Sequence, residues 1–94
     1  MDFAALKAFI AVAETGSFSA AGGRLFLTQP AVSKRIAALE NELDARLFDR
    51  IGRTVALTEA GVALLPRAQK LLVELEDTIR TISSLSAEIR GTLR

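Results

Sequence analysis

Between Phe18 and Leu43 two helix-forming segments are separated by only three residues, and this short connection constrains the fold more than any other feature of the chain. Ser17 is placed to cap a helix over Phe18 to Leu25, "FLT" forms the connection, and Thr28 caps a helix from Gln29 to about Leu43. Pro30 falls in the first turn, where a missing N–H is tolerated. At about 100° per residue, Val32, Ile36, Leu39 and Leu43 lie within about 60° of one another and face a core. Pro30, Lys34, Ala37 and Asn41 then point away, with Ser33 beside them and Gln29 at the helix end. Two helices joined by so short a turn, the second opening with polar residues, match the helix-turn-helix arrangement.

The flanking segments complete a mainly helical chain. Asp2 caps a first helix over residues 2–15, with Leu6, Phe9, Ile10 and Ala13 at i, i+3, i+4, i+7 and Gly16 at its stop. Phe48 and Arg50, then Val55 and Leu57, are short β-prone segments around "IGRT", with Gly52 free to take positive φ: a small hairpin. Thr58 caps a fourth, longer helix. Its apolar positions Leu65, Ala68, Leu72, Leu75, Ile79, Ile82 and Ile89 alternate in steps of three and four, with Ser86 filling one slot, which is a heptad seam. Pro66 lies inside that helix and predicts a bend or local loosening near Val62.

Composition narrows the function. The 94 residues contain no Cys, His, Tyr or Trp. Disulfides, thiolate metal sites, the commonest general base and the best stacking aromatics are therefore missing, and neither a cofactor nor a metal site is expected. Net charge is only +1, so a nucleic-acid partner requires locally arranged positive charge. The apolar run "AFIAVA" is too short for a signal-peptide core or a membrane span. A soluble, cytoplasmic protein without enzymatic activity is the expectation.

The polar face of the third helix suits a helix end inserted into the DNA major groove. Gln29 can pair with adenine, Ser33 with several base edges, and Lys34 with guanine or a phosphate, while Pro30 and Ala31 offer apolar surface to a thymine methyl. The helix N-terminus favours a nearby phosphate, which Thr28 could also contact. A merely solvated surface helix is the alternative. The three-residue turn, the N-cap and the basic hairpin favour a reading face.

"LKAFIAVAETGSFSAAGGRLFLTQPAVSKRIAALENELDARLFDRIGRTVALTEAG", Leu6 to Gly61, resembles the DNA-binding domain of LysR-type transcriptional regulators. The matching features are "FxxVAExGSF", a small-residue pair then "RL", "xxTQPAVSxxIxxLExEL", "RLFxRxGRxVxLTEAG" and the long helix that follows. The resemblance implies a winged helix-turn-helix: a three-helix body with a β-hairpin wing, then a long linker helix that dimerises. Its implied limits are 1–58 for the winged domain (helix-turn-helix about 18–37, wing about 47–57), 59–90 for the linker helix and 91–94 for a hinge to an absent effector-binding domain. In that reading Arg53 reaches phosphate or the minor groove from the wing and Arg50 stands beside it, or pairs with Asp49 or Glu42. Glu40, Glu42, Asp44 and Asp49 are expected to face away from DNA. Val62, Leu64 and Leu71 are expected to dock inward while later residues of the long helix pair with a second copy.

Four positions depart from the family pattern. Gly22 replaces a usual Ala and is followed by Gly23, which predicts a soft second helix. Asp44 replaces a usual Gly and is expected in the left-handed region. Phe26 and Ile51 replace commonly polar residues in the turn and at the hairpin.

The reading that results is a sequence-specific, dimeric binder of double-stranded promoter DNA, with a small-molecule effector expected only in the missing domain and a tetramer possible in the full-length protein. Alternatives are a related winged-helix DNA binder without an effector domain, such as a molybdate-responsive one, and a helical dimerisation or protein-docking module. Steep salt dependence separates DNA binding from apolar docking.

Overall fold

The computed structural model describes residues 1–52 and 54–89. Arg53 and residues 90–94, where the wing tip and hinge are expected, lie outside the described residues, as does the side chain of Ile89. The element order is α1 (Phe3–Thr15), α2 (Phe18–Leu25), α3 (Gln29–Leu43), β1 (Phe48–Ile51), β2 (Thr54–Leu57) and α4 (Glu59–Ile89).

Each helix starts where a polar side chain caps it. Asp2 accepts from the Ala5 amide at 2.8 Å, Ser17 from Ala20 at 3.1 Å, Thr28 from Ala31 at 3.2 Å and Thr58 from Gly61 at 3.1 Å. Three helices end on left-handed residues: Gly16 at φ 72°, Phe26 at φ 59° and Asp44 at φ 53°. Asp44 is where the sequence places such a residue. Phe26, a bulky side chain in the same conformation, is not foreshadowed by it.

α1 is the central helix. It packs on α2, α3 and α4, and its residues from Ala8 to Val12 are buried without a break. A single stripe at helical spacing is therefore too narrow a description of it. Phe9 and Val12 join Val32, Leu39 and Leu47 as the largest fully buried side chains. On α3 the stripe holds through Leu39, but Leu43 is exposed, because the helix ends there and runs past the body. β1 and β2 pair antiparallel with Arg50 opposite Val55 and Ile51 opposite Thr54, and Gly52 in the turn takes φ 63°.

α4 corrects the expected division of its apolar residues. Val62 and Leu71 are exposed rather than docked; the body-facing side runs through Gly61, Leu64, Leu65, Ala68 and Leu72. A Cβ on Gly61 would stand 2.3 Å from the Leu47 carbonyl oxygen, so only glycine admits the close crossing of α4 over the chain before β1. Ala68, expected to serve dimerisation, is completely buried within its own chain, and Leu65 and Leu72 are half-buried against the same core. Heptad spacing marks a face that needs covering and does not say which chain covers it. Beyond Leu72, every residue from Val73 to Leu85 is exposed. α4 runs through Pro66 as one helix. No described helix is long and apolar enough to cross a membrane.

Candidate nucleic-acid interface

The N-terminal half of α3 carries the candidate site. Burial of Val32 and Ile36 fixes the rotation of the helix, which leaves Thr28, Gln29, Pro30 and Lys34 exposed and Ser33 half-buried. Among the described residues, no hydrogen bond or ion pair engages the side chains of Gln29, Ser33 or Lys34. The backbone offers less than a bare helix end would. Thr28 takes the Ala31 amide and Pro30 has none, so in the first turn the Gln29 N–H is the amide left for an outside acceptor.

The hairpin stands beside this face. A cleft of about 380 Å³ between α3 and the wing is lined by Ser33 and Ala37 on one side and Asp49 and Arg50 on the other. Arg50 thus shares a cleft with Ser33, and it pairs with neither Asp49 nor Glu42; its guanidinium lies over the Phe18 ring. Glu42 is instead taken by the N-terminal amine of Met1. Arg53, the other wing cation, is not among the described residues.

The acids are placed only partly as expected. Glu42 and Asp44 sit at the far end of α3, but Glu40 and Asp49 line the cleft that holds Ser33 and Arg50. Glu40 is there for a structural reason: its carboxylate accepts the Leu47 amide at 2.8 Å and so fixes the chain entering β1. The basic residues also divide. Arg24 is paired with Glu14 at 2.6 Å and Arg46 donates to the Phe48 carbonyl at 3.1 Å, whereas Lys34, Arg35 and Arg50 make no ion pair among the described residues. Lys34 at the start of α3 and Arg50 in the cleft thus stand without an acidic partner among the described residues, in a chain whose net charge is +1. The stacking of Arg50 on Phe18 is invisible to motif reading, since the two are brought together only by the packing of the wing on α2.

A three-helix body, a two-stranded wing and an unpaired polar face at the start of the second helix of the helix-turn-helix define a winged helix-turn-helix of the DNA-binding class, carried on a long helix. Residues 3–62 match the family described as bacterial regulatory helix-turn-helix protein, lysR family, and the chain belongs to that family. An HTH-type transcriptional regulator of Azotobacter vinelandii, from the ibpB-leuC intergenic region, is 68% identical over 93 residues, covering 99% of this chain and 65% of that protein. Among solved structures, the CbnR DNA-binding domain in complex with DNA is 40% identical with a TM-score of 0.81, covering 93% of this chain and 99% of that one. The BenM DNA-binding domain with catB site 1 DNA is 32% identical with a TM-score of 0.87, covering 93% and 98%. The chain spans 65% of the Azotobacter relative and between 25% and 41% of other curated relatives that it matches.

Proposed function

We propose that the chain binds double-stranded promoter DNA sequence-specifically, as a dimer, for a cytoplasmic LysR-type transcriptional regulator without enzymatic activity. α3 enters the major groove and the wing lies alongside. Gln29, Pro30, Ser33 and Lys34 meet base edges, Thr28 meets a phosphate, and Arg50 and Arg53 serve the wing. Residues 1–58 act as the reading domain and 59–90 as the linker helix. Leu75, Ile79, Ile82 and Ile89 of that helix pair across a two-fold axis, together with the exposed Leu85. A small-molecule effector and a tetramer are expected of the full-length regulator.

The observation that carries the reading is the set of Gln29, Ser33 and Lys34 side chains at the start of α3, beside Arg50, none of which makes an ion pair or side-chain hydrogen bond among the described residues. Support also comes from the likeness to two DNA-binding domains solved on DNA. The test uses a duplex selected by this chain from a random pool at physiological salt. Lys34→Ala is expected to weaken binding about tenfold, with an unchanged melting temperature and a salt slope smaller by about one. Unchanged affinity would sink the assignment of this face.

A further inference from the structure

We infer that Phe18 is a positioning residue for DNA binding: it holds the Arg50 guanidinium in place for a phosphate through a cation–π stack. The inference rests on the DNA-binding reading above. The guanidinium carbon of Arg50 stands 4.7 Å from the centroid of the Phe18 ring. Phe18 meets Phe48 edge-on with centroids 5.9 Å apart, and Phe48 meets Phe9 at 5.4 Å. Phe9 is fully buried, so the floor beneath Arg50 is tied to the centre of the core. Phe18 is itself buried at 8% exposure while Arg50 is exposed. The cation is thus held at the surface on a fixed support.

The direction in which it is held matters. Arg50 and Phe18 line the cleft between wing and α3 that also holds Ser33. Of the two carboxylates bordering that cleft, Glu40 is engaged by the Leu47 amide and Asp49 makes no ion pair with Arg50. The charge remains available to an anion from outside. No hydrogen bond or ion pair engages the Arg50 guanidinium among the described residues, so N–H donors remain for a phosphate, which arginine binds in pairs. An arginine on a short exposed strand otherwise samples many rotamers, and fixing it on binding is entropically costly. The ring removes much of that cost before DNA arrives, and so adds affinity without touching DNA.

A double-mutant cycle tests this, using the duplex that the wild-type chain selects from a random pool, at one fixed salt concentration. Phe18→Leu is expected to weaken binding about two- to fivefold. In an Arg50→Ala background the same change is expected to alter affinity by less than about 1.5-fold, because the group that Phe18 positions is gone. Phe18→Tyr, which keeps the ring, is expected to restore wild-type affinity. In the free wild-type protein, the Arg50 side-chain proton resonances are expected to be displaced by the ring current, a readout that needs no variant to fold.

Equal losses from Phe18→Leu in both backgrounds would assign Phe18 a merely structural role and overturn the inference, as would undisplaced Arg50 resonances in the wild type. Either result leaves the DNA-binding reading standing, because the wild-type chain still binds. Absence of binding by the wild-type chain overturns both.

Discussion

Two adjacent glycines in α2 do opposite things. A Cβ on Gly22 would stand 2.6 Å from the backbone oxygen of Leu27, whereas one on Gly23 would meet nothing within 4 Å. The Gly22 carbonyl accepts the Leu27 amide at 2.8 Å, so the missing side chain lets the turn fold back tightly onto α2. Helix propensity treats both glycines alike, as a loss of about 1 kcal/mol each relative to Ala. Gly23→Ala is expected to stabilise the chain by about 0.5–1 kcal/mol, and Gly22→Ala to destabilise it by about 1–3 kcal/mol, in chemical denaturation. Equal effects from the two would show that the close approach costs nothing. Phe26, the next strained residue, has φ 59° and is 95% exposed, so its ring buries almost nothing within the chain. Asn tolerates the left-handed region better, and Phe26→Asn is expected to raise stability by up to about 1 kcal/mol. A lower melting temperature in that variant would contradict the assignment of strain.

Among the elements, the junction of three helices is held by one carboxylate. Glu14 on α1 accepts from Arg24 of α2 at 2.6 Å and from Gln69 of α4 at 3.2 Å, which ties the long helix to the three-helix body. The Arg24 hydrogen bond, then that of Gln69, holds the Glu14 carboxyl below the usual carboxylate range. A pKa lowered in the folded state means stability that is present at neutral pH and lost as pH falls through that lowered value. Glu14→Gln is accordingly expected to melt about 2–4 °C below wild type at pH 7, the small size reflecting solvent exposure, and the gap is expected to close in acid. A gap independent of pH would mean that the carboxylate charge does not matter. The elements themselves were legible because their limits are local: Asp2, Ser17, Thr28 and Thr58 cap within three residues, and Gly16 and Asp44 stop helices on their own conformations. Which side of α3 stays exposed was legible as far as Val32 and Ile36 fix the rotation of the helix. What joins the elements was not. Glu14 and Gln69 are 55 residues apart, Phe18 and Arg50 meet only through the wing, and no local pattern announces either contact. Ala68 has the spacing of a partner-facing residue for the same reason, since what covers it is a distant part of its own chain.

In the whole molecule, the apolar stripe of α4 passes from a covered to an uncovered state without changing face. Leu65, Ala68 and Leu72 rest on the body, and the same spacing continues through Leu75, Ile79 and Ile82 into solvent, flanked by Leu71 and Leu85. The 31-residue helix is about 46 Å long, and the chain measures 56 × 25 × 19 Å, so its second half stands clear of the body. Lone exposed apolar side chains are ordinary on a protein surface, but a stripe at helical spacing on a free helix favours association. A second copy laid along it would also bring two copies of α3 to one duplex, multiplying modest contacts through effective concentration. Ile79 lies at the centre of the stripe, is 51% exposed and has no role in the body. Ile79→Asp is therefore expected to give a monomer in sedimentation, with the melting behaviour of the three-helix body retained and affinity for a two-half-site duplex reduced about a hundredfold or more. Ala68→Asp differs in kind, since it places a charge in the chain's own core and is expected to unfold the body. A wild-type chain that sediments as a monomer at micromolar concentration, or an Ile79→Asp variant that sediments as a dimer, would show that this stripe does not pair two copies of the chain.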